Sequence, residues 1–263
     1  MDLGLTDKIA FVTGSSRGLG YACAEVLLLE QAKTIINSRS LQNLQSAKEK
    51  LLNSTHQMAD LFAGDVTAQN FAGESTAFIE SKFGKLDLLI TNSGGPPPGT
   101  IETLTDQQWQ DAIELSFLCH MRLIRAALPL LRKSECPSIL TITSYSVKQP
   151  IENLILSNSI RSATVGLTKT LALELGKENI RVNSILPGST NTERITALFE
   201  NNAKLNNTTP EAEREKQEKA IALGRIAKPA EFARAAVFLA SPAASYLTGV
   251  MLSVDGGAVK GVY

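Results

Sequence analysis

The chain predicts a doubly wound parallel α/β sheet with helices on both faces. Three observations carry this. Short β-branched runs alternate with longer amphipathic segments; the runs are almost continuously apolar, as strands buried on both faces are; and the first run passes directly into a glycine-rich turn that opens a helix. In order, the strand candidates are KIAFVT (8–13), KTIINS (33–38), LFAGDV (61–66), LDLLIT (86–91), SILTIT (138–143), IRVNSIL (180–186) and VMLSVD (250–255). Helical segments between them include residues 21–30, 41–52, 109–131, 157–175 and 229–239. The expected sheet therefore has about seven strands. The most polar stretch, NNAKLNNTTPEAEREKQEK (201–219), reads as a mobile flap within residues 190–222, placed to cover a substrate.

Composition limits what such a sheet can be for. With 263 residues, 43% hydrophobic and 20% charged, the chain can bury one sizeable core, so residues 1–263 are expected to form one domain. Lys plus Arg and Asp plus Glu balance at 26 each, with no long run of one sign. That leaves no footprint for nucleic acid or an anionic membrane and favours a small-molecule substrate. No apolar run approaches the roughly 20 residues that span a bilayer, and no signal-like segment opens the chain. A cytoplasmic protein is the expectation. Cys23, Cys119 and Cys136 are widely spaced and form no metal-like grouping with His56 or His120, so they read as core fillers, with no metal site.

The turn TGSSRGLG (13–20) carries the most specific local signal. Gly14, Gly18 and Gly20 permit a tight turn, close backbone approach to a pyrophosphate, and close packing of the next helix on the sheet. Its spacing is GxxxGxG, and its place between the first strand and a helix favours a nucleotide site over a purely structural turn.

Together with LLITNSGG (88–95), RVNSILPG (181–188) and YLTGVMLSVDGG (246–257), this turn resembles the short-chain dehydrogenase/reductase superfamily, especially its β-ketoacyl-carrier-protein-reductase-like members. The resemblance spans nearly the whole chain and implies a Rossmann fold. It implies that Gly14, Ser16, Arg17, Gly18, Leu19 and Gly20 hold the dinucleotide phosphates, and that Asp65 and Val66 contact the adenine. Asn92, Ser93 and Gly94 would stabilise the sheet and line the cofactor, with Pro187, Gly188 and Thr192 at the nicotinamide. It also implies a homo-oligomer, a tetramer, built on the long fourth and fifth helices and the last strand. The second strand ends in Asn37, Ser38 and Arg39, without the carboxylate that would accept from a ribose 2′-OH and repel a 2′-phosphate. Arg17 and Arg39 together could clamp that phosphate, which favours NADP(H), with NAD(H) the alternative.

The catalytic positions depart from the family pattern of Asn, Ser, Tyr and Lys. Ser144 matches the serine at the end of the fifth strand, but thirteen residues on stands Ser157 and four beyond it Arg161, where tyrosine and lysine belong. Seven residues after Trp109 stands Ser116, where the asparagine belongs. An aliphatic hydroxyl is far less acidic than a tyrosine, and a guanidinium stays protonated, so Arg161 can still bind the cofactor's ribose hydroxyls or phosphate and is better suited to anchoring than to relaying a proton. Among other candidates, Tyr145 should point to the opposite face from Ser144, His120 reads as a packed histidine, Lys148 as solvated, and GGPPPG (94–99) as a stiff pocket rim. The expected function is an NADP(H)-dependent oxidoreductase moving hydride between nicotinamide and a carbonyl or alcohol. In it, Ser144 polarises the oxygen, and Ser157, Arg161 or water replaces the tyrosine-lysine unit. The competing class is a cofactor-binding protein without turnover, acting as a sensor or assembly subunit.

Overall fold

A computed structural model describes residues 1–262. All seven predicted runs are strands: β1 (Ile9–Val12), β2 (Lys33–Ser38), β3 (Asp60–Ala63), β4 (Leu88–Thr91), β5 (Ser138–Ile142), β6 (Arg181–Pro187) and β7 (Met251–Val254). They form one parallel sheet in the order β3-β2-β1-β4-β5-β6-β7. The helices are α1 (Gly18–Leu29), α2 (Leu41–Thr55), α3 (Phe71–Phe83), α4 (Asp106–Ile113), α5 (Cys119–Leu131), α6 (Ile155–Leu175), α7 (Glu193–Asn206), α8 (Pro210–Ala220) and α9 (Pro229–Ala240). None of them is long and apolar enough to cross a membrane.

Alternate residues of each buried strand face opposite helical layers. Ala10 and Val12 of β1 join Leu140 of β5 and Ile185 of β6 beneath α1 and α9, around Phe232. Ile9 and Phe11 join Leu89, Ile139 and Val182 on the other face, beneath α3, α5 and α6. Chain order reverses between β1 and β4, which are neighbours in the sheet. The crevice for a ligand in such a sheet opens at the carboxyl ends of these strands. There the chain places the glycine turn after β1 and Asn92 after β4.

One expectation is corrected and another gains detail. The segment read as one helix over residues 109–131 is interrupted by a π turn at Glu114–Leu118. The wider turn frees the Ser116 carbonyl, which accepts the Thr164 hydroxyl of α6 at 2.6 Å. The polar stretch read as a mobile flap is built mostly of two helices, α7 and α8. Its low apolar content reflects solvated faces. Asn207 ends α7 in the left-handed conformation at φ 52°, Thr209 caps α8 by accepting the Ala212 N–H at 3.2 Å, and Pro210 starts it. Arg214–Glu218 and Lys219–Glu215 pair one turn apart on the exposed face of α8.

Candidate active site

The glycine turn is closed from behind by Asn92. The Thr13 hydroxyl donates to the Asn92 carbonyl at 2.7 Å and accepts the Asn92 N–H at 2.8 Å, while the Asn92 amide donates to the Gly14 carbonyl at 2.9 Å. A Cβ on Gly14, which sits at φ +55°, would lie 2.9 Å from the Asn92 carbonyl oxygen, and one on Gly20 would lie 2.5 Å from the Gly14 oxygen. Packing excludes a side chain at both positions, and conformation excludes one at Gly14 as well. Above the turn, only a Thr192 methyl comes within 4 Å of a Cβ position on Gly18, and nothing does at Gly94. Arg17 precedes α1 without capping it through its side chain, and the first turn of α1 carries no acidic residue. Its leading N–H groups therefore face the crevice as an anion cradle, and the residues present fit a dinucleotide diphosphate. Leu19 packs its side chain into the core, so its N–H is what it offers to a phosphate. Ser16 is half-buried in the turn.

At the end of β2, Asn37 ties the sheet to the glycine turn. Asn37 is buried and wholly used inside the sheet: its amide donates to the Phe62 and Gly64 carbonyls at 3.0 Å each, and its oxygen accepts the Gly14 N–H at 3.3 Å. It positions the turn, and only Ser38 and Arg39 remain for the ribose side. The structure does not bring Arg17 and Arg39 onto one partner. Arg17 is bonded to Glu193, and Arg39 stands 4.0 Å from Asp65, both pairs largely in solvent. Val66 lies half-buried against the core face beneath α3 and α5. Across the crevice, Pro187 ends β6, a Cβ on Gly188 would lie 2.5 Å from the Asp255 Cα, and the Thr192 hydroxyl donates to the Thr190 carbonyl at 3.2 Å.

Ser144, Ser157 and Arg161 lie around the end of β5. Ser144 follows the strand in extended conformation, and its hydroxyl accepts the Ser146 N–H at 3.1 Å. Ser146 and Ser157, on the first turn of α6, place their hydroxyl oxygens 3.4 Å apart. Arg161, one turn further, is only 7% exposed and donates through Nη1 to the carbonyls of Ile142 and Thr143 at 3.2 and 3.1 Å. Burial, reinforced by the nearby Arg194, pulls its pKa down to about 10, so it remains a cation at neutral pH. Ser116 lies on the π turn with its hydroxyl buried and unpartnered. It is not bonded to the other three.

His120 is buried, with Nε2 3.3 Å from the Ser93 hydroxyl, and burial followed by the field of Arg161 lowers its pKa to about 3. It is a neutral packed histidine, as expected. Tyr145 packs into a cluster with Phe199, Ile221 and Ile226, and Lys148 is exposed. Burial pushes the Cys23 and Cys119 thiols up to about 12, and no metal-holding group occurs among the described residues. Sequence reasoning missed Arg194. In the first turn of α7 it reaches back over the crevice to donate to the Pro96 carbonyl at 2.6 Å. A signal existed: a cation in the first helical turn opposes the helix dipole and calls for a reason.

A seven-stranded doubly wound sheet with a glycine cradle at its switch point, and a serine and a cation at the end of β5, defines a nucleotide-dependent enzyme class. A family model described as enoyl-(acyl carrier protein) reductase matches residues 14–259, and the chain belongs to the short-chain dehydrogenase/reductase family. It is 32% identical to the NADPH-dependent reductase BacG of Bacillus subtilis, over 98% of this chain and all of that protein. It is 28% identical to the 3-oxoacyl-[acyl-carrier-protein] reductase FabG of Chlamydia trachomatis, over 96% and 98% of the two chains. Among solved structures, L-sorbose reductase from Gluconobacter frateurii, complexed with NADPH and L-sorbose, superposes with a TM-score of 0.93 at 31% identity and full coverage of both chains.

Proposed function

We propose that the chain is an NADP(H)-dependent oxidoreductase that moves hydride between nicotinamide and the carbonyl or alcohol of a small molecule. The observation that carries this is the protonated guanidinium of Arg161, fixed by two backbone carbonyls at the end of β5 beside Ser144. The nicotinamide supplies or takes the hydride when bound. The N–H groups opening α1 hold the diphosphate, with Arg39 toward the adenosine ribose. The Ser144 hydroxyl orients the carbonyl oxygen. Arg161 stabilises the negative charge that develops on that oxygen, without having to lose its own proton. With no phenol at hand, the proton comes from water or from the Ser157 hydroxyl, which pairs with that of Ser146 at 3.4 Å. Relatives that are NADPH-dependent reductases support turnover, and no observation favours the reading as a cofactor-binding protein without it. The same reading includes a homotetramer formed on α5, α6 and β7. Leu173 of α6 is 72% exposed in the single chain, as an apolar side chain awaiting a partner subunit would be.

The test is NADPH oxidation followed by absorbance across a panel of small ketones, aldehydes and diketones. Turnover of at least one is expected, with Ser144→Ala lowering its kcat/KM by about 100-fold. Tight NADPH binding without oxidation by any carbonyl compound would refute the enzyme.

Cofactor preference has its own test. NADPH should bind more tightly than NADH, and Arg39→Asp should reverse the order, because one charge-assisted contact to a phosphate is worth roughly 10- to 100-fold. Equal affinities of the parent protein in a fluorescence titration would count against it.

A further inference from the structure

Two guanidinium groups border the crevice with no carboxylate to pair with among the described residues. Arg161 spends only Nη1, on the β5 carbonyls; Arg194 spends only Nη2, on the Pro96 carbonyl. The other donors of both have no protein acceptor among the described residues. The carboxylate next to Arg194 in the chain, Glu193, is turned away and bonded to Arg17. Placing Arg194 costs free energy twice, since it stands at the positive end of α7 and faces the buried charge of Arg161. Gly95 makes the placement sterically feasible: a Cβ there would lie 3.0 Å from both Nε and Nη2 of Arg194. The guanidinium rests on bare backbone at the crevice rim, although Arg194 as a residue is exposed.

We propose that this pair recognises a carboxylate on the substrate, with Arg194 as its anchor and Arg161 supplying the buried positive field. The inference rests on the oxidoreductase reading and narrows its substrate to oxo acids or the corresponding hydroxy acids. A planar guanidinium with free donors on one edge matches the two oxygens of a carboxylate, and the entering anion neutralises two cations that the fold leaves uncompensated. The lowered pKa of Arg194, caused by burial of its head group, fits the same placement.

The experiment measures binding apart from chemistry. The NADP⁺-loaded protein, which cannot reduce a carbonyl, is titrated calorimetrically with pyruvate, acetoacetate and levulinate, each against its methyl ester, and with inorganic phosphate. At least one acid is expected to bind about 10-fold or more tightly than its ester. Arg194→Gln should bring that ratio close to one, Arg194→Lys should restore part of it, and Gly95→Val, which pushes the guanidinium off the Pro96 carbonyl, should also lower it. Acids and esters bound equally by the parent, a ratio that survives Arg194→Gln, or phosphate bound more tightly than every acid would overturn the proposal. Turnover of uncharged carbonyls without an acid preference would remove the carboxylate and leave the oxidoreductase standing. Acid binding without turnover of any carbonyl would do the reverse.

Discussion

Arg161→Met is expected to lower kcat/KM for carbonyl reduction by about 100- to 1,000-fold, the usual loss when a preorganised donor to a developing oxyanion is removed. Methionine fills much of the same buried volume, so the variant should fold and still bind cofactor. What it lacks is the cation and the two bonds that fix that cation to Ile142 and Thr143. Arg161→Lys should recover part of the rate, because it returns the charge without the planar fork. The parent enzyme should show a matching pH profile. With Arg161 near 10 and His120 near 3, neither group changes charge around neutrality, so their contribution to the rate is flat there. The rate should fall as pH rises through about 10, where Arg161 gives up its proton. That loss is not unfolding driven by the same group. Its folded pKa lies below the ordinary 12.5, so the unfolded chain binds more protons between the two values, and stability from this group rises with pH across that window. Steady-state kinetics from neutrality to above pH 10, with a parallel denaturation series, checks both statements. An unchanged kcat/KM in Arg161→Met would remove Arg161 from the chemistry.

His120→Gln should make the fold markedly less sensitive to acid. Buried beside Ser93 and in the field of Arg161, the imidazole is held neutral down to about pH 3, whereas in the unfolded chain it protonates below 6.5. Its contribution to stability is therefore complete above 6.5 and declines as pH falls toward 3. At about pH 4.5 the decline amounts to an order of 2–3 kcal/mol. Glutamine can still hydrogen-bond to Ser93 but carries no titrating proton, so the variant should lose that much less stability between neutral pH and 4.5. Near neutrality it should differ from the parent by about 1 kcal/mol, the cost of repacking. Urea midpoints at the two pH values decide it, and parallel declines would show that the acid sensitivity comes from elsewhere.

The sequence by itself determined the strands, the long helices and the glycine turn. Each is written in short-range terms: apolar runs of strand length, amphipathic periodicity, and glycines where the backbone needs a positive φ or close contact. All seven strands are legible for this reason, as is the cradle before α1, whereas Ser144, Ser157 and Arg161 are picked out only by the resemblance to the family's spacing. Only the tertiary structure decided what those side chains bond to. Asn37 finds its role only when β3 is laid beside β2 and the backbone there takes its amide. Glu193 and Asp65, which stand beside Arg17 and Arg39 in the single chain, arrive from distant segments. The π turn at Ser116 depends on a hydroxyl of α6 that lies 48 residues away. Arg194 comes within reach of Pro96 only when the chain closes over 98 residues. Hydrogen bonds between side chains and remote backbone have no periodicity in the chain, because their partners are chosen by the packing of the sheet and its helical layers.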